Sequence, residues 1–419
     1  MPHANWSRRQ FLAAASAAVA IPTIIPARAF GANGRVVTGH VGVGGQGVFN
    51  LKAFLKQENV DIGGLCDVDS AHLAAAAKLV KGKPFDAVGD YRRLLDRKDI
   101  DAIVVSTPDH WHGLTTIHAC QAGKDVYCEK PLSLTVAEGR AMVDAARKTN
   151  RVVQTGSQQR SSPEFRKASE LIRSDKLGTL STIQIGLPKS NFVGPVVPDS
   201  TPPAELDYPT WLGPAPDRPY NANRVHYKFR FFWDYSGGQM TNWGAHHIDI
   251  AHWALRMDNS GPVSVEGTAE FDPEHKFEVT TRFRLTYTYP NGVTLLVGQD
   301  QPDIPGGLTF VGSAGKLMVN RGKIKSDPAA ILDTPESEMA VRLEESRDHH
   351  GNFLDCVASR NRPICDVEVG HRSATACHLG NIVARLGRKV RWDPVTERIE
   401  GDEAASAMLS RPYKSPWTA

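Results

Sequence analysis

Residues 42–47 run Gly42-Val43-Gly44-Gly45-Gln46-Gly47, directly after a short β-type stretch from Arg35 to Val41. Glycines in this G-x-G-x-x-G spacing divide one task. Gly42 permits a tight turn, Gly44 lets backbone approach a ligand, and Gly47 lets the next helix lie against the strand. The helix holding Phe49 to Phe54 would then aim free N–H groups at an anion, and a diphosphate suits that place. The segment VDIGGLCDVD (60–69) predicts a second strand that delivers Asp67, 20 residues after Gly47. A carboxylate there accepts hydrogen bonds from both ribose hydroxyls and repels a 2′-phosphate. No Arg or Lys follows closely, so NAD is favoured over NADP.

A second group of chemically capable residues spans GGQMTNWGAHHID (237–249). On a helix Asn242 and His246 are four apart and share a face. A neutral imidazole with an unperturbed pKa of ~6.5 can take a proton from a hydroxyl near neutral pH. At about 100° per residue His246 and His252 stand about 120° apart, so no compact two-histidine face forms and no metal is expected.

These residues need a frame. DAIVVSTP (101–108) carries an apolar strand of the kind found inside parallel sheets. A helix closed by Gly123 follows, then a strand through DVYCEKP (125–131). The next helix has Thr135 as its N-cap and Glu138 three residues on, and a further strand leads into QTGSQQR (154–160). Strand–helix alternation of this kind predicts a doubly wound parallel sheet. Gln158 and Arg160 lie at the carboxyl end of its last strand, where such sheets hold ligands, and are candidates for cofactor or substrate contact. Later, alternating runs meet at Pro290-Asn291-Gly292 and around Gly312–Gly315, which predicts antiparallel strands of a second sheet. Two C-terminal helices follow; His371 is expected to open the last, as a cap or at the cleft.

The chain has 419 residues, enough for two domains, a formal net charge of +3 and 23% charged residues. Neither nucleic acid nor an anionic membrane surface is implied. The first residues have an export pattern: Ser7-Arg8-Arg9, an apolar run from Phe11 to Ile25, and Ala27-Arg28-Ala29 as a cleavage site. Paired arginines mark a twin-arginine signal, with Ala13 standing where a lysine is usual. The run is shorter than the ~20 residues of a membrane span, so no stable membrane anchor is expected. The partner implied is the twin-arginine export machinery, and the location periplasmic or secreted. The six cysteines show no C-x-x-C spacing and are expected to be buried free thiols, with a Cys356–Cys365 bridge as the alternative.

Four segments in this order, GVGGQG, TPDHWH (107–112), CEKP (128–131) and GGQMTNWGAHHID, resemble the Gfo/Idh/MocA family of glucose-fructose oxidoreductases and inositol dehydrogenases. The resemblance implies an α/β fold: an N-terminal Rossmann domain with a doubly wound parallel sheet, and a C-terminal α/β domain with an open, mostly antiparallel sheet. That sheet often joins subunits, so a dimer or tetramer is expected. The division expected is 1–34 signal peptide and linker, 35–155 NAD-binding domain, and 156–419 substrate and oligomerisation domain. Lys130 matches the family's catalytic lysine; an ammonium there stabilises an alkoxide as hydride leaves the carbinol carbon. Glu129, Pro108 and His110 fall beside the cofactor. In the family pattern D-x-G-x-H-x-x-D, His246 and Asp249 match, but Asn242 replaces the first acid. An asparagine can orient a histidine or hold a hydroxyl; it cannot carry a proton.

An exported enzyme must keep its cofactor through each turnover, because NAD is not replenished outside the cytoplasm. An oxidoreductase acting on a sugar or polyol meets this need if a second substrate restores the cofactor. An NAD-dependent glycosidase meets it by transient oxidation, elimination, hydration and re-reduction. A non-catalytic sugar- or NAD-binding protein is the third possibility, supported only by Asn242. The aromatic-rich segment 211–253 suits a sugar ring as well as a core, and Arg160, Arg230, Tyr235, Asn242 and Asp249 are the substrate-contact candidates.

Overall fold

The computed structural model describes residues 34–192 and 194–419. The export signal lies outside them. Among the described residues no helix is long and apolar enough to cross a membrane.

The first sheet is built from β1 (Val36–Val41), β2 (Val60–Cys66), β3 (Asp86–Val88), β4 (Ala102–Val105), β5 (Asp125–Cys128) and β6 (Val153–Thr155). Its order is β3-β2-β1-β4-β5-β6 and every pair is parallel. The strand order reverses between β1 and β4, which opens a crevice at their carboxyl ends. β4 is buried throughout, as its apolar run requires. Helices cover both faces. Leu114, Ile117, Met142 and Val143 pack on Ile103 and Val105 on one side, and Leu51 and Phe54 pack on Val36 and Ile62 on the other.

The second face is completed from far along the chain. Phe353, Leu354 and Val357 of the helix His349–Ser359 join the core around Phe54 and Tyr127. A cut at residue 155 therefore separates the chain but not the packing. A surface helix needs an apolar stripe of neighbours, and this stripe finds it on the nucleotide half. The expected cap at Thr135 forms: its Oγ1 accepts from the Glu138 N–H at 3.3 Å. Glu138 reaches back one residue further than the usual box, to the Leu134 N–H at 3.0 Å.

The second sheet has nine strands: β7 (Leu180–Leu187), β8 (Ser264–Phe271), β9 (Thr280–Thr288), β10 (Thr294–Gln299), β11 (Gly307–Gly312), β12 (Gly315–Asn320), β13 (Lys323–Asp327), β14 (Val390–Asp393) and β15 (Arg398–Ile399). The order is β13-β12-β11-β7-β10-β9-β8-β14-β15. Only β7 and β10 run parallel. The hairpins at Asn291-Gly292 and at Ser313-Ala314 form as the turn residues predict. The helices Pro163–Arg173, Ala245–Leu255 and Val367–Leu386 cover one face, with Leu285, Tyr287 and Leu295 among the strand side chains of the shared core.

The helix that holds His371 begins at Val367, with the Asp366 side chain accepting from the Glu368 N–H, and a short helix Glu403–Ala407 follows it. His371 therefore lies one turn inside. It neither caps nor reaches the cleft; its Nε2 pairs with Glu397 at 2.7 Å. All six cysteines are free and buried.

Candidate active site

The glycine turn is shaped for close backbone approach. Gly42 has φ +79° and a Cβ there would stand 2.8 Å from the Ser106–Thr107 backbone. A Cβ on Gly47 would stand 1.9 Å from the Gly42 carbonyl oxygen, so helix and strand meet only because the residue has no side chain. Gly44 precedes the helix Gly45–Phe54, whose N-terminus carries no capping side chain and no acid in its first turn. That end is open to an anion. Asp67 stands one residue beyond β2. Its carboxylate accepts from the Val43 N–H at 2.8 Å and the Asp69 N–H at 2.9 Å. Burial pushes its pKa up against the pull of those two N–H groups. Turn, open helix end and carboxylate together fit a dinucleotide.

One cleft of about 940 Å³ runs from this turn past Lys130 to His246. The segment from Gly194 to Ser236, which lines it at Leu206, Trp211, His226, Tyr227 and Arg230 among others, forms a strap along it. It is fastened beside Asp67 by the Asp207 N–H on the Val68 carbonyl and the Ser70 N–H on the Glu205 carbonyl, both at 2.9 Å. His226 of the strap reaches Asp69 at 3.4 Å and stacks edge-on with His72, ring centroids 4.7 Å apart. This is the place among the described residues where potential metal-ligand atoms gather; the expectation had considered only the helix around His246.

Glu129 is buried and takes three amide donors: Asn50 at 3.0 Å, Gln46 at 3.1 Å and Gln158 at 3.0 Å. The next residue, Lys130, precedes Pro131 through a cis peptide. Its Nζ donates to the Asn242 backbone carbonyl at 2.9 Å and to the Asn242 Oδ1 at 3.1 Å. Burial, opposed by Glu129 and Asp109, lowers the Lys130 pKa to about 8.

Asn242 and His246 both line the cleft, but not as one α-helical face. Met240–Gly244 forms a π turn before the α-helix Ala245–Leu255. Gly237 allows it to pack closely: the Asn381 amide donates to the Gly237 carbonyl at 2.9 Å, where a Cβ would lie 2.4 Å from that nitrogen. The wide turn offers Lys130 both oxygens of Asn242. Burial first, then Lys130 and Arg321, hold His246 neutral, far below its usual pKa. Its Nδ1 has no partner among the described residues.

Several expected contacts lie elsewhere. Arg160 and Asp249 are buried and paired at 2.8 Å, with Asp258 and Ser373 completing the group; they face the core behind the cleft. His110 turns away as well, its Nε2 2.9 Å from the Trp211 carbonyl oxygen. Tyr235 is buried against Trp211 and His110, and its hydroxyl has no partner among the described residues. Pro108, Gln158 and Arg230 do line the cleft. A strap that needs its own core claims Tyr235, Phe231 and Phe232 for packing.

Sequence reasoning missed Asp109, His112 and Arg321, which also line the cleft. Asp109 accepts from the Ser236 hydroxyl at 2.5 Å, and burial raises its pKa. His112 sits between the Pro131 and Thr107 carbonyl oxygens, at 2.8 and 2.9 Å. Both lie inside the quoted TPDHWH, where helical phase would have separated them from His110. Arg321 had no signal; only the packing of the β12–β13 turn brings it in.

Comparison with known proteins agrees with this architecture. Residues 37–157 match the model of the oxidoreductase family's NAD-binding Rossmann fold, and residues 188–419 that of its C-terminal alpha/beta domain. The chain belongs to the Gfo/Idh/MocA oxidoreductase family, and its first domain binds NAD. A glycosyl hydrolase family 109 protein of Shewanella sp. (strain W3-18-1) is 37% identical over 123 residues, 28% of this chain and 27% of the relative. The match thus spans about a quarter of that relative's length. Two solved structures share the fold. The WlbA dehydrogenase of Bordetella pertussis, in complex with NADH and UDP-GlcNAcA, has a TM-score of 0.64 at 18% identity, covering 85% of this chain and 98% of that one. The aldose-aldose oxidoreductase of Caulobacter crescentus, complexed with glycerol, has 0.64 at 19%, covering 85% and 99%.

Proposed function

We propose that the protein oxidises a CH–OH group of a sugar or polyol and keeps its NAD through the whole cycle. The observation that carries the reading is Lys130 held by Asn242 beside a neutral His246, in the cleft that begins at the Gly42–Gly47 turn. The nicotinamide, when bound, would accept hydride from the CH–OH carbon and pass it to a second carbonyl substrate or an external acceptor. The chain supplies the rest. Lys130, with its pKa near 8, can take the hydroxyl proton as an amine and return it as an ammonium. His246, held neutral, hydrogen-bonds the hydroxyl and orients it. The strap limits water and shields the nucleotide from solvent.

Export in the folded state, with NAD loaded inside the cell, completes the proposal. In cells making the full chain, the periplasmic fraction should contain the protein with NAD bound, and added sugars should raise the absorbance of reduced nicotinamide. Retention inside the cell, or release of the nucleotide on dilution, would refute the trapped-cofactor reading.

The family 109 relative supports a second reading, a redox-neutral glycosidase. It needs a further acid/base, and Tyr235, a phenol that could be considered for that role, is buried and does not line the cleft. Cleavage of an aryl glycoside without lasting cofactor reduction would favour it.

The neutral side chain at Asn242 has a testable consequence. In the proposed oxidation Lys130 must be an amine, so the rate should rise as pH climbs through about 8. Asn242→Asp places a carboxylate against the ammonium and stabilises it, moving that rise upward by roughly 1–3 pH units. A pH–kcat profile unchanged in Asn242→Asp would remove Lys130 from the proton transfer. Asn242 is here a positioning residue.

A further inference from the structure

Two arginines in the cleft form no ion pair among the described residues; burial lowers the Arg230 pKa and the Asp109 carboxylate partly opposes that. Arg230 comes from the strap and Arg321 from the turn between β12 and β13, and both line the space that Lys130 and His246 line. Among the described residues neither has a carboxylate oxygen within 4.0 Å. Neighbouring arginines are paired: Arg218 with Asp234 and Glu278, Arg411 with Glu138. The carboxylates nearest Lys130 are already engaged, Asp109 by Ser236 and Glu129 by three amides.

Each guanidinium rests on an aromatic face. Arg230 lies 4.1 Å from the Tyr227 ring centre and 4.8 Å from that of Phe229; Arg321 lies 4.7 Å from that of Trp243. Arg230 donates one N–H to the Tyr227 carbonyl. In the amide orientation that satisfies both ends of Gln159, its oxygen accepts from Arg321 Nε at 3.2 Å and its nitrogen donates to the His246 carbonyl at 2.9 Å. Stacking fixes the plane of a guanidinium and leaves its other in-plane donors free, the geometry that grips a carboxylate with two parallel bonds.

We infer that the substrate is an acidic carbohydrate, a sugar or polyol bearing a carboxylate that the stacked arginines Arg230 and Arg321 recognise, while its reacting CH–OH meets Lys130 and His246. This rests on the sugar-oxidoreductase reading of the same site. The diphosphate of NAD has its own seat at the helix Gly45–Phe54, so the arginines are not needed for it.

The test is a tryptophan-fluorescence titration of the NAD-loaded protein at low salt. The probes are glucuronate, galacturonate and mannuronate, each against its neutral aldose. At least one uronate should bind about tenfold or more tighter than its aldose, in keeping with charged hydrogen bonds. Arg321→Gln and Arg230→Gln should each reduce that ratio, with Arg321→Lys keeping part of it. Equal binding of all three pairs overturns the inference, as does a ratio that survives both glutamine variants. Loss of NAD affinity in those variants with the ratio intact also overturns it. Cofactor absorbance is followed in parallel. Uronate preference without reduction refutes the oxidoreductase reading alone, and reduction by neutral sugars without uronate preference refutes only the inference.

Discussion

Lys130→Met lowers kcat by roughly 10²–10⁴-fold, the range supplied by a positioned acid or base, while NAD remains bound. Methionine keeps the unbranched stem and removes the three N–H donors. The Asn242 carbonyl and amide oxygens lose their partner, but they border the cleft, where water can replace it. Burial already works against the ammonium, so its removal should not lower the melting temperature. The informative result is a collapse of kcat with unchanged NAD content and unchanged thermal midpoint. Full turnover in Lys130→Met would end the proposed chemistry; a folding defect would show in the midpoint.

The second large effect is structural. Arg160→Met leaves Asp249 and Asp258 without their shared cation. Both charged groups of the Arg160–Asp249 pair are almost wholly buried, and breaking such a pair by removing one partner costs about 3–5 kcal/mol. Asp249 would have to ionise in a site where burial already raises its pKa. The melting temperature should fall sharply, and Arg160→Met combined with Asp249→Asn should recover part of the loss. If Arg160 were instead a substrate ligand, KM would rise with the thermal midpoint unchanged.

The same residues show where sequence reasoning succeeds and where it stops. The glycine spacing and Asp67 were readable because their roles are local: a turn, a close approach, and a carboxylate at a strand end. Arg160 and Arg230 looked equivalent as candidates. Arg160 lies in the core paired with two acids from the region of the helix Ala245–Leu255, while Arg230 lines the cleft and forms no ion pair among the described residues. Pairing of that kind depends on residues about 90 positions apart. His110 failed for a nearer reason. The helix Asp109–Gln121 starts right after Pro108, so successive residues of TPDHWH point in different directions, and Asp109 and His112 take the cleft instead.

By itself the sequence determined the nucleotide half: alternating periodicities, glycine spacing and one carboxylate define a parallel sheet with a dinucleotide crevice, since each signal acts over a few residues. It also supplied Lys130, Asn242 and His246 as the reacting cast. Tertiary structure decided how they meet. It inserted a π turn that aims Asn242 at Lys130, returned the helix His349–Ser359 to the first sheet, and brought Arg321 in from a distant hairpin. Burial and opposing charge, which set the protonation of Lys130 and His246, exist only once those distant segments have packed together.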